Sequence, residues 1–210
     1  GIYIRKNIDE EFTNFGQHYR FRFIPQNEFW IDDERTPGEA EFFIDHMLVE
    51  NRLMGEGMTY DDALVLADKA EMKERRKIDF VRKGIRPHPK KAEYIPKIHQ
   101  KLLKKYSTDS IKVWIVDGEL VRDLFFIDYT EGGHDKVYKF VPAHEVWLDD
   151  DLQPKELRYV LLHEVHERRL MAQGWPYNKA HRSASHIEYY CRHHPGELDI
   201  KLKEEIDKNK

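Results

Sequence analysis

Polar and apolar positions alternate over residues 19–33 around Phe21, Phe23, Phe29 and Trp30, which predicts strands interrupted at Pro25. At Pro37 the period changes to that of a helix. Phe42, Phe43, His46, Met47, Glu50, Leu53 and Met54 fall at helical spacings until Gly55 and Gly57 stop them. Thr59 then serves as N-cap for a second helix from about Tyr60 to Arg82. Residues 83–97 read as a Pro-rich basic connector, followed by a short amphipathic helix with Pro96 near its start and Ile98, Leu102, Leu103 and Tyr106 on one side. From Ile111 the pattern predicts strands again: Ile111–Val116, an Asp117-Gly118 hairpin turn, Leu120–Asp128, a Gly132-Gly133 turn, Val137–Val141, and a last strand around Glu145–Leu148. Two helical stretches then flank Gly174-Trp175-Pro176 within residues 161–188. Gly fits just past a helix end and Pro near the next start, so this segment reads as an antiparallel helical hairpin, its second helix closing before Pro195-Gly196.

Shifting the first half by 117 residues lays it on the second without a gap. Phe23 meets Phe140, Pro25 meets Pro142, Trp30 meets Trp147, His46 meets His163, Glu50 meets Glu167, and Glu71 meets Glu188. From 23 to 75 about one position in three is identical, which reads as an internal repeat. The fold expected is α+β, each half a small, mostly antiparallel sheet followed by a helical hairpin. Residues 1–82 form the first repeat, 83–107 a basic linker with a short helix, 108–197 the second repeat, and 198–210 a charged tail.

The chemistry concentrates in the second hairpin. His163 and Glu167, four apart, share a face of the first helix, and His181 and Glu188, seven apart, share a face of the second. Folding the hairpin about residues 174–177 brings the four together. Imidazole and carboxylate are the usual ligands of a zinc-type ion, and Glu164, next to the first ligand, is placed to act as general base. The first repeat has Met47 at the position of Glu164 and Leu64 at that of His181, so its site is degenerate. The competing reading of His163, Glu167 and Glu188 is a buried hydrogen-bond network that locks the hairpin, because buried polar groups need partners.

His163-Glu164-x-x-Glu167 resembles the zincin metallopeptidase helix, with Glu167 in place of the second His. The longer pattern through Gly174, Tyr177, Ala180, His181, Ala184 and Glu188 is similar to short uncharacterised phage and bacterial proteins of metallopeptidase-like character. The resemblance spans about 30 residues and implies a zinc-type, peptidase-like metallohydrolase.

Composition narrows the alternatives. Cys191 is the single cysteine, so an intramolecular disulfide framework and a Cys-rich zinc module are excluded, and any metal must rest on His and carboxylate. No apolar run approaches membrane-spanning length and no signal-peptide pattern stands out, so a soluble cytoplasmic protein with no membrane partner is expected. The net charge of −4 is uneven: residues 69–105 hold 14 Lys/Arg against 4 Asp/Glu. That run is a solvated face, or else a nucleic-acid contact through Lys90, Lys91, Lys104 and Lys105, with the His/Glu cluster then structural.

Overall fold

The computed structural model describes residues 2–33, 38–82 and 91–209. After a short helix α1 (Ile2–Asn7), strands β1 (Phe15–Gln17) and β2 (Phe29–Ile31) pair antiparallel, and helices α2 (Ala40–Gly55) and α3 (Tyr60–Arg82) follow. The chain continues through α4 (Ile95–Ile98), β3 (His99–Leu102), β4 (Lys112–Val116), α5 (Gly118–Leu124), β5 (Gly132–His134) and β6 (Glu145–Asp149). A second hairpin, α6 (Leu157–Ala172) and α7 (Tyr177–His193), precedes a last helix, α8 (Leu198–Lys208). The larger sheet runs in the order β3-β4-β6-β5, parallel between β4 and β6 and antiparallel elsewhere. The architecture is α+β.

Both hairpins turn where glycine permits it. Gly57 and Gly174 sit at φ +97 and +89, a left-handed conformation that side chains disfavour. The N–H one residue later reaches back to the last turn, Met58 to the Leu53 carbonyl and Trp175 to that of Leu170, at 3.0 and 3.1 Å. The core lies between α6, the sheet and α8: Leu161, Leu162 and Val165 meet Val146 and Leu148 of β6 and Leu198, Leu202 and Ile206 of α8. Each such side chain contributes about 1.5–3 kcal/mol on leaving water. That burial fixes the position of α6 and so of the residues on its other face.

Several local expectations change. Leu120–Asp128, predicted as a strand, forms α5 instead. Asp117 accepts a hydrogen bond from the Leu120 N–H at 2.8 Å, which makes it a helix cap rather than a hairpin turn. Leu120, Val121, Leu124 and Phe125 suit either period, and a short apolar run cannot tell helix from strand. Gly132-Gly133 is not a turn but the start of β5, and Val137–Val141 is not a strand. His99–Leu102 extends as β3 where the helix was expected to continue. Among the described residues of the first half only 15–17 and 29–31 are strands, so Phe21 and Phe23 lie in the turns between them. Residues 198–208 of the expected tail form a helix with Leu198 and Leu202 buried. Pro37 and most of the connector (83–90) lie outside the described residues. Among the described residues no helix is long and apolar enough to cross a membrane.

Two buried arginines, one before each hairpin, tie the two halves of the chain together. Arg5 on α1 donates to Glu156 at 3.2 Å and to the Phe12 carbonyl at 3.3 Å, and pairs with Asp32 at 3.0 Å. Arg122 on α5 donates to Glu39, to the Tyr129 carbonyl at 2.9 Å, and to Asp149 at 2.6 Å. Each arginine thus grips an acid at the foot of a hairpin that its own stretch of chain does not precede. Arg5 bonds the residue before α6, and Arg122 the residue before α2.

Candidate metal centre

Amphipathic helices α6 and α7 bury one seam against each other, and that seam is polar at its centre. His163 and Glu167 come from α6, His181 and Glu188 from α7. His163 Nδ1 lies 2.9 Å from Glu188 Oε2, while Glu188 Oε1 accepts from Arg192 Nε and Nη2 at 2.9 and 2.7 Å. Arg192 also bonds both oxygens of Glu156, at 3.0 and 2.6 Å. With both oxygens engaged, Glu188 stands behind His163 and orients it. A carboxylate on Nδ1 fixes the tautomer that leaves the Nε2 lone pair outward, the arrangement that supports metal-ligating histidines.

In front of His163 three ligand atoms converge. His181 Nδ1 is 3.1 Å from His163 Nε2 and 2.8 Å from Glu167 Oε2, and His163 Nε2 is 3.7 Å from Glu167 Oε2. Ligand atoms about 2.0–2.1 Å from a tetrahedral zinc ion stand about 3.3 Å from one another, so this trio needs only small adjustments to accept one. His181 is the outermost, with its side chain 35% exposed against 4% for Glu167. The donor set therefore fits a zinc-type ion with one side open to solvent.

A further residue joins from the sheet. His134 on β5, fully buried, places Nε2 3.0 Å from the second oxygen of Glu167. Its Nδ1 accepts the backbone N–H of Lys136 at 3.1 Å, so Nε2 carries the proton and donates it to Glu167. That tautomer makes His134 a clamp on Glu167. The sequence around Gly132-Gly133 reads as a turn and does not single out His134. The 117-residue shift pairs it with Gln17, another side chain with an N–H donor, and this was the available signal.

Glu164 is half-buried against β5 and brings a carboxylate oxygen within 4.8 Å of His134 and Glu167. A Cβ on Gly132 would stand 3.2 Å from Glu164 Cγ and 3.1 Å from the Trp147 carbonyl, so glycine here lets the carboxylate lie close to the sheet edge. Burial, with the like charges of Glu167, Glu188 and Glu131, pushes its carboxyl up to about 8 against the lowering effect of His163. Glu167 behaves in the opposite way. Burial opposes its charge, but hydrogen bonds to His134 and His181, with the His163 imidazole 3.7 Å away, hold it far below the usual carboxylate range. His163 is held well above the ordinary imidazole value by Glu167 and Glu188 despite burial. Two carboxylates one turn apart on α6 therefore differ strongly in their affinity for a proton.

The first hairpin carries a related lock without the second imidazole. His46 Nδ1 is 2.9 Å from Glu71, which Arg75 holds at 2.8 Å, and Gln17 donates to Glu50 at 2.6 Å. Leu64 stands where His181 does, and a cavity of about 260 Å³ opens beside His46 and Glu50. Burial disfavours the His46 charge, but the Glu50 carboxylate 3.4 Å from Nε2 and the hydrogen bond to Glu71 raise its pKa from 6.5 to about 9. The pKa is higher folded than unfolded, so this stabilisation is full below pH 6.5 and lost as pH rises through 9. Its size is on the order of 3 kcal/mol. Urea unfolding of wild type and His46→Gln at pH 6 and pH 10 should give a stability gap that narrows at the higher pH. A constant gap would mean that His46 is neutral when folded.

Two further histidines of the second hairpin and the candidate nucleic-acid lysines lie apart from this cluster. His166 bonds Ser183 Oγ at 2.9 Å and approaches Glu205 of α8 at 3.2 Å, and His186 is exposed. Lys104 and Lys105 are exposed on a short turn, with Lys105 Nζ 5.1 Å from the Tyr106 ring centroid. Lys90 lies outside the described residues, and Lys91 is described only as the backbone start of a helical turn.

Comparison of the chain with protein-family models, with curated proteins and with solved structures found no match.

Proposed function

We propose that the chain is an internal duplication whose second copy binds a divalent, zinc-type ion and uses it to hydrolyse peptide-like bonds. The duplication is supported by partners that recur 117 residues on. Phe15↔Ile31 and Gly132↔Leu148 pair in the same register. The sequence His46–Glu71–Arg75–Glu39 is matched by His163–Glu188–Arg192–Glu156, and Trp30 to Glu28 by Trp147 to Glu145.

The observation that carries the function is the meeting of His163 Nε2, His181 Nδ1 and Glu167 Oε2 within 3.7 Å, with one imidazole braced from behind by Glu188. Three protein ligands with an open side are the arrangement of catalytic rather than structural zinc sites. The resemblance of His163-Glu164-x-x-Glu167 to the zincin helix agrees with it. An ion held there would polarise a carbonyl and make a water molecule more acidic. Glu164, which burial holds protonated below about pH 8 and which a nearby cation would help to ionise, would in its carboxylate form accept the proton of the attacking water and return it to the leaving amine. Glu188 and His134 keep His163 and Glu167 in place and move no proton.

Elemental analysis of untagged protein purified without added metal tests the reading. About one zinc-type ion per chain is expected in wild type and none in His163→Ala. A wild-type chain that arrives metal-free and then takes up neither zinc nor cobalt ends the proposal.

A further inference from the structure

The outer faces of the two hairpins are finished differently. On α6, Leu161 and Val165 are both 0% exposed, packed in one cluster with Leu198, Leu202 and Ile206 of α8. Arg169 seals the edge of that contact by donating to Glu205 at 2.6 Å. The positions 117 residues earlier are Ile44 and Leu48, 40% and 52% exposed, and Arg52 in place of Arg169 is also exposed. Leu66, in the register of Ser183, adds a third aliphatic side chain, 41% exposed.

The difference has a cause in the sequence. After α7, Pro195-Gly196 cannot continue the helix, and the chain turns back as α8. The corresponding residues after α3 begins its last turns are Ile78-Asp79, so α3 runs on to Arg82. Among the described residues no segment returns to cover α2. The second hairpin itself indicates what fits such a face: a helix with apolar residues at i, i+4 and i+8 (Leu198, Leu202, Ile206) and a carboxylate at i+7 (Glu205) to meet the arginine.

We propose that the Ile44–Leu48–Leu66 face is a docking site for an amphipathic helix of another protein, built to the pattern of α8 and pairing a carboxylate with Arg52. The site rests on the repeat reading and is independent of the metal. The probe is a fluorescent peptide of residues 194–209 of this chain, titrated by anisotropy into the intact protein. Saturable binding is expected below about 1 mM, weakened about tenfold or more by Leu48→Asp. Arg52→Glu should weaken it as well, and a peptide carrying Glu205→Arg should recover binding to that variant. Both substitutions are on exposed positions, and circular dichroism with unchanged metal content verifies the fold. Absence of saturation, or binding indifferent to Leu48→Asp and Arg52→Glu, overturns the proposal. So does a concentration-dependent dimer in sedimentation that Leu48→Asp abolishes, because the face would then be closed by a second copy.

Discussion

Glu164→Gln is expected to keep the bound metal and to lower the turnover of unstructured peptides by about 10²–10⁴-fold, the usual contribution of a general base. Glu164 lies on α6 beside His163, and glycine at position 132 makes room for its carboxylate against β5. Glutamine keeps nearly the same volume and removes the ability to take a proton. His163, Glu167 and His181 are untouched, so metal content should stay at the wild-type level. The control is His181→Ala, which removes a ligand and should lower metal content and turnover together. Cleavage is read by mass spectrometry on a peptide panel. Equal cleavage by Glu164→Gln and wild type would remove Glu164 from the chemistry, and loss of metal in that variant would recast it as part of the binding site. A metal-loaded wild type that cuts none of the panel would end the peptidase reading while leaving the metal centre standing.

How much of this is legible in the sequence depends on the kind of signal. The hairpin 161–188 was readable because its helices are long and its turn carries Gly174 and Pro176. Together these place His163, Glu167, His181 and Glu188 across one seam, and all four meet there. The order of contacts was not readable. Spacing places Arg192 one turn from Glu188, but it cannot tell that Arg192 also reaches Glu156, because that depends on the depth at which α7 lies against the foot of α6. His134 was invisible for a related reason: three residues of β5, two of them glycine, carry almost no periodicity. Strand β5 exists because β6 offers it an edge, a long-range cause absent from the local sequence. The same holds for Arg5 and Arg122, whose spacing of 117 was available, but whose buried crossing contacts belong to the packing of one half on the other.

That crossing sets the second large effect. Arg122→Met should destabilise the protein by about 3 kcal/mol, the lower end of the range for breaking a buried ion pair. The residue is 1% exposed and its guanidinium serves Glu39, Asp149 and the Tyr129 carbonyl at once. Two features hold the cost down. Glu39 retains Arg75 at 2.7 Å, and Asp149 can take a proton, since burial already raises its pKa to about 6 even with Arg122 beside it. An acid whose folded pKa exceeds its unfolded value favours folding at low pH and loses that advantage as pH rises. The deficit of Arg122→Met should therefore be smaller at pH 5 than at pH 8. Adding Asp149→Asn removes the stranded charge, so the double variant should be more stable at pH 8 than the sum of the two single changes. Arg158→Met, which breaks an exposed pair with Asp199, should cost under about 1 kcal/mol and serves as the reference. Urea unfolding at both pH values measures wild type, the two single variants, the double variant and Arg158→Met. A pH-independent deficit, or one no larger than that of Arg158→Met, would mean that Arg122 does not fasten α5 to the foot of the first hairpin.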